Sequence, residues 1–115
     1  MGLYNLDKIF KPESVAVIGA SEKQYSIGRA VMKNLVDGGF EGEIIPVNPG
    51  YDQVLDRTCY PSISDADTTP DLAVIATPIH TAPDLIDECA RIRVGGAIII
   101  SAGGKEMGEK GEKLE

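Results

Sequence analysis

The sequence predicts an α/β protein, a doubly wound, mainly parallel sheet in a single three-layer domain. Three observations predict it. Short β-branched runs alternate with segments of helical period along the chain, the pattern of strands joined by crossover helices. The runs are apolar on both faces, as parallel strands covered on both sides are. The chain has 115 residues, 43% of them hydrophobic, and domains run about 100–150 residues, so one core is expected.

The first strand is Ser14-Val15-Ala16-Val17-Ile18, opened by Lys11-Pro12 and broken by Gly19-Ala20-Ser21. A helix follows with Ser26 as N-cap and Ile27, Ala30, Val31 and Leu35 as its buried stripe. Gly38-Gly39 ends it by supplying the left-handed conformation of a C-cap. The second strand, Glu43 to Val47, carries Pro46, which cannot donate to a ladder and belongs near the carboxyl end. Residues 51 to 70 carry the weakest pattern. There Thr58-Cys59-Tyr60 suits a short strand and Ser62 to Asp67 a single helical turn. The third clear strand, Leu72 to Ala76, stops at Thr77-Pro78. The next helix has Thr81 as N-cap, Pro83 in its first turn and Leu85, Ile86, Cys89 and Ile92 facing inward. Gly95-Gly96 then leads into a fourth strand, Ala97 to Ile100. The charged stretch from Lys105 to Glu115 ends without a cap or a following strand, so a longer parent chain is expected.

Composition removes several classes. A net charge of −7 argues against nucleic acid, whose binding needs clustered Lys and Arg. It leaves room for a phosphorylated ligand, because backbone N–H groups act locally. Cys59 and Cys89 with one histidine, His80, give no metal-ligand spacing, so no metal is expected, and free thiols are. Met1 to Leu6 has no signal-peptide core, and no apolar run approaches the roughly 18 residues of a membrane span. A cytoplasmic protein with no membrane partner is the expectation.

In open α/β sheets, ligands bind beyond the carboxyl ends of the strands. The loop from Gly19 to Gly28 is the most informative one there. A strand, a glycine and a helix start aim free amides at a phosphate. Gly19 and Gly28 lie nine apart, whereas the outer glycines of G-x-G-x-x-G lie five apart, so the dinucleotide fingerprint is not matched. Ser21, Lys23 and Ser26 supply donors, with Arg29 just inside the helix. After the second strand, Asn48-Pro49 stands where NAD enzymes place the carboxylate that holds the ribose diol. This weighs against NAD. His80, a lone loop histidine beside Thr77 and Thr81, has no partner in sequence for catalysis, and Arg91 and Arg93 complement a helix dipole.

These residues carry a resemblance. Ser14 to Ser21 followed by Ser26-Ile27-Gly28-Arg29 resembles the opening of the Rossmann-like CoA-binding domain of nucleoside-diphosphate-forming acyl-CoA synthetases, the succinyl-CoA synthetase α-subunit superfamily. Pro46 to Pro49, Cys59 to Ile63, Asp71 to Pro78 and Ile99 to Gly103 continue it, so nearly the whole chain is covered. The resemblance implies coenzyme A as ligand, with residues 1–115 as the CoA-binding domain. By position it implies that Gly19, Ala20, Ser21, Lys23, Ser26, Ile27 and Gly28 line the first loop, and that Asn48, Pro49, Thr77, Pro78 and Ser101 line the others. It implies no catalytic residue here, because the family's phosphohistidine lies in a later domain that His80 does not replace. Gly50 stands where relatives often carry Lys, and Asp56 where they tend to place Gly. The expected role is to position CoA for thioester formation in an ADP- or GDP-forming acid–CoA ligase. Its partners would be the parent's other domains or a β subunit, with a homo-oligomer left open. The alternatives are a stand-alone regulatory CoA-binding protein and the NAD(P)-binding half of an oxidoreductase.

Overall fold

A computed structural model describes residues 11–100. Four parallel strands form the main sheet: β1 (Ser14–Ile18), β2 (Glu43–Val47), β5 (Leu72–Ile75) and β6 (Gly96–Ile99), in the order β2-β1-β5-β6. A two-stranded antiparallel hairpin, β3 (Gln53–Val54) and β4 (Arg57–Thr58), lies in the β2–β5 connection. Helix α1 (Ile27–Asp37) follows β1, and α2 (Ala82–Arg91) follows β5. Short 3-10 turns at Ile63–Asp65 and Ile79–Thr81 complete the described elements. The doubly wound parallel fold is therefore present. Among the described residues no helix is long and apolar enough to cross a membrane.

Alternation along the strands explains the layers, because successive side chains point to opposite faces. Val15 and Val17 pack with Met32 of α1, Val54 and Cys59, while Ala16 and Ile18 pack with Ile63 and Cys89 of α2. Both faces are thus covered, and β5 and, from Val15 on, β1 are apolar for that reason. Pro46 sits in the edge strand β2 at a position whose polar groups point away from β1, so its missing N–H removes no bond from that ladder. Its carbonyl still accepts from Tyr60 N at 3.0 Å, and Tyr60 O accepts from Asn48 N at 2.8 Å.

Three expectations need correction. In α1, Val31 and Leu35 pack half-buried against the core as expected, but Ala30 is exposed and the fully buried positions are Gly28 and Met32. Ile86 of α2 is 41% exposed, and Cys89 and Ala82 are the buried residues of that helix. At the end of α1 only Gly39 is left-handed, at φ 80°, while Gly38 stays right-handed at −77°. Phe40 N then reaches back to Leu35 O at 3.1 Å, closing the helix. The single turn expected in 62–67 is the 3-10 turn, and the short strand around 58 is the second arm of the hairpin.

Candidate functional site

The order of the sheet reverses at β1, whose neighbours β2 and β5 lead outward on opposite sides. Ligands of open α/β sheets bind in the crevice this reversal creates at the strands' carboxyl ends. Two glycines bring the exits of β1 and β5 and the start of α1 together there. Gly19 has φ 94°, and a Cβ on it would lie 2.8 Å from Thr77 Cγ2. A Cβ on Gly28 would overlap the carbonyl oxygen of Gly19. Gly28 therefore does the job of a fingerprint's last glycine, close helix–strand packing, despite its longer spacing.

Ser26 caps α1, its Oγ accepting from Arg29 N at 3.2 Å and donating to Lys23 O at 2.7 Å. Ser26 O accepts from Ala30 N at 3.1 Å. The amides of Ile27 and Gly28 have no hydrogen-bond partner among the described residues. No acidic residue lies in the first turn of α1. A helix start with free amides and no carboxylate favours an anion.

A cleft of about 380 Å³ opens at Gly19, the residue on which Gly28 packs, and no residue of α1 lines it. The buried Ile18, Val47 and Ile63 line it together with Leu85, and Gly19, Asn48, Pro49 and Thr77 bring polar backbone and side chains to it. Asp84 and Glu88 of α2, with His80 and Thr81, form another flank, and no Lys or Arg is among the lining residues. Glu88 is already engaged, accepting from Ser64 N at 3.3 Å and from Ser64 Oγ. Thr81, the expected cap of α2, bonds instead to Pro78 O at 2.6 Å and to the Thr77 hydroxyl.

The structure sorts the expected site residues into three groups. Gly19, Asn48, Pro49 and Thr77 meet in the cleft, while Ser26 and Ile27 line a neighbouring groove with Tyr25, Arg29 and Lys33. Ala20 and Ser21 are buried between these two places, Lys23 is exposed, and Pro78 opens the 3-10 turn. Ser101 lies outside the described residues. The hydroxyl of Ser21 does not face a ligand freely. It accepts from Lys23 N at 2.9 Å and shares a hydrogen bond with Tyr51 Oη at 3.2 Å.

Asn48 is likewise engaged on both sides, donating from Nδ2 to Ala20 O and accepting at Oδ1 from Gly50 N, each at 2.8 Å. An Asp at this position has no N–H for Ala20 O, which gives Asn a structural reason independent of the ribose argument. Sequence reasoning missed Leu85, Asp84 and Glu88 as lining residues. The helical period that set Leu85 inward was the one signal available for it.

Burial pushes Cys59 above its ordinary value of 9.0, against a bond to Asn48 O and helped by Asp52; burial and then Glu88 do the same for Cys89. Both are free and buried. Among the described residues no group of three His, Cys, Asp or Glu side chains is placed to hold a metal ion.

Fold and crevice define a doubly wound α/β domain of the class that binds ligands at the carboxyl ends of its strands. The chain belongs to the CoA binding domain family, whose model matches residues 13–111. It is 45% identical over 111 residues to acetate–CoA ligase [ADP-forming] II of Archaeoglobus fulgidus, covering 96% of this chain and 16% of that protein. With the α subunit of acetate–CoA ligase [ADP-forming] I of Pyrococcus furiosus the identity is 43%, over 96% of this chain and 25% of the subunit. The dinucleotide-forming acetyl-coenzyme A synthetase 1 of Ca. Korarchaeum cryptofilum, solved with phosphate and ADP, superposes with a TM-score of 0.81 at 38% identity. That match covers 90% of this chain and 22% of the synthetase chain. The domain is thus homologous to the α-subunit region of ADP-forming acyl-CoA synthetases, and it spans about a quarter or less of these relatives' length.

Proposed function

We propose that this domain holds coenzyme A with the diphosphate at the start of α1 and the adenine in the cleft beside α2. It thereby presents the thiol to an acyl group activated elsewhere in an ADP- or GDP-forming acid–CoA ligase. The other domains of the parent, or a β subunit, would supply that activation. One observation carries the reading: two unpartnered amides, Ile27 and Gly28, start a helix that packs on Gly19, which lines an apolar cleft containing carboxylates and no Lys or Arg. The phosphates belong at the amides. The cleft suits an uncharged ring, because a phosphate there would face Asp84 and Glu88. The adenine is a better occupant than the pantetheine arm, since an arm buried in the cleft would hide the thiol that has to react.

The residues present fit this ligand. Gly19 and Gly28 let the exits of β1 and β5 and the start of α1 pack directly on one another, which holds the helix start at the crevice. Gly19, Ala20, Ser21, Lys23, Ser26, Ile27 and Gly28 form or support the diphosphate loop in this reading. Asn48, Pro49, Thr77, Pro78 and Ser101 belong to the loops around the nucleotide. Calorimetric titration of the chain with CoA, dephospho-CoA, NAD and ATP tests it. CoA should bind at least about tenfold tighter than NAD, a difference of about 1.4 kcal/mol. Equal affinity for NAD overturns the reading.

A further inference from the structure

The hairpin between β2 and β5 touches the diphosphate loop from a stretch whose sequence carried the weakest pattern. Leu55 N at the hairpin tip donates to Glu22 Oε2 at 2.7 Å. Tyr51, just before β3, meets Ser21, and Asn48 holds Ala20. Three consecutive residues of the loop, Ala20, Ser21 and Glu22, are thus tied to a segment 28 to 33 positions away.

The hairpin tip is itself strained. Leu55 and Asp56 have φ of 48° and 66°, as a two-residue type I′ turn requires; Asp tolerates this conformation, but Leu does not adopt it cheaply. Such residues persist only where their surroundings hold them. Here Val54 is fully buried in the core on one side, and the Glu22 carboxylate takes the Leu55 amide on the other. Glu22 also resolves an oddity: a carboxylate in an anion-binding loop would oppose its ligand, and this one is committed to the hairpin.

Resting on the diphosphate reading above, we propose that the β3–β4 hairpin is a clasp that keeps the loop in its binding shape, with Glu22 and Tyr51 as positioning residues. A loop that is already ordered spares the ligand the cost of ordering it, so the clasp contributes to affinity without touching CoA. Glu22 gives the prediction a sign. If its charge merely repelled the phosphates, Glu22→Ala and Glu22→Gln would both tighten binding. As a clasp, Glu22→Ala weakens CoA binding by about tenfold, the scale of one lost charge-assisted hydrogen bond. Glu22→Gln keeps an acceptor for Leu55 N and recovers most of the affinity.

The experiment is CoA titration of the whole chain as Glu22→Ala, Glu22→Gln and Tyr51→Phe, each also carrying Asp56→Gly to relieve the turn and restore overall stability. Amide hydrogen exchange is followed in parallel. The clasp predicts weaker binding for Glu22→Ala and Tyr51→Phe at matched melting temperature, with faster exchange at residues 20–25 and unchanged exchange in β1 and β5. Unchanged affinity at matched stability, or tighter binding in both Glu22 variants, overturns it. If the unmodified chain bound no CoA, the functional reading would fall, and exchange at residues 20–25 would still judge the clasp: unchanged rates in Glu22→Ala would sink it.

Discussion

Helices α1 and α2 start at the same end of the sheet, each just after a central strand, yet their first turns are built for different neighbours. The start of α1 is capped by Ser26, carries no acidic residue and leaves the Ile27 and Gly28 amides without a partner. The start of α2 has no side-chain cap and places Asp84 in its first turn, where the carboxylate answers the dipole from within the chain. Packing differs in the same sense. Gly28 lies so close to the exit of β1 that no Cβ fits, whereas α2 begins with Ala82, whose methyl is buried without conflict. One helix start is left open to an anion, and the other is neutralised by its own residue. The proposed reading uses that division to separate the charged part of CoA, at α1, from the uncharged ring, at α2.

The largest effect expected from this difference is at Gly28. Gly28→Ala forces a methyl onto the Gly19 carbonyl, and overpacking of this kind costs about 1–3 kcal/mol. We expect a loss near the top of that range in denaturant unfolding, together with loss of CoA binding, because the two free amides move away from β1. Ala82→Gly, at the equivalent turn of α2, should cost only about 1 kcal/mol in helix propensity. Equal losses for the two would show that close packing is not what distinguishes α1.

The next effect is smaller and separates cap from packing. Ser26→Ala removes the acceptor for Arg29 N and should lower stability by about 1 kcal/mol. Thr81→Ala breaks bonds to Thr77 and Pro78 but uncovers no amide of α2. Amide exchange in the first turn should therefore quicken in α1 for the first variant and stay unchanged in α2 for the second. Fraying of α2 in Thr81→Ala would erase the contrast.

How much of this was legible in the sequence follows from the range over which each signal acts. The strands and the Ser26 cap were readable because apolar runs and capping residues work within a few positions. Pro46 reads locally as a residue near the carboxyl end of its strand, where the structure has it, while the edge position of β2 is not legible from it. The stripe of α1 is legible in Val31 and Leu35, which pack against the core, but not in Gly28, which has no side chain to count as apolar and sets the helix against β1. The hairpin was hidden because its first left-handed position is held by Leu55, where primed turns ordinarily carry Asn, Asp or Gly, and its strands are two residues each. Ser21 and Asn48 were read as ligand donors, and no local pattern reveals that their partners lie at Tyr51 and Ala20, 30 and 28 positions away. Their side chains shape the loop.

The smallest effect tests whether the two helix starts really divide the ligand between them. Asp84 lines the cleft, and its carboxylate sits in the first turn of α2. Asp84→Asn removes a favourable charge–dipole interaction, worth about 0.3–1 kcal/mol at low salt. The loss should shrink as salt rises, since the Debye length is about 10 Å at 0.1 M. CoA affinity should change by less than about threefold, or about 0.6 kcal/mol, because in this reading the phosphates lie at α1 and only the uncharged ring approaches α2. A tenfold gain on neutralising Asp84 would mean that negative charge had been held away from α2 by this residue alone. The cleft would then be a second anion site in waiting, and the difference between the two helices would rest on one carboxylate instead of on their construction.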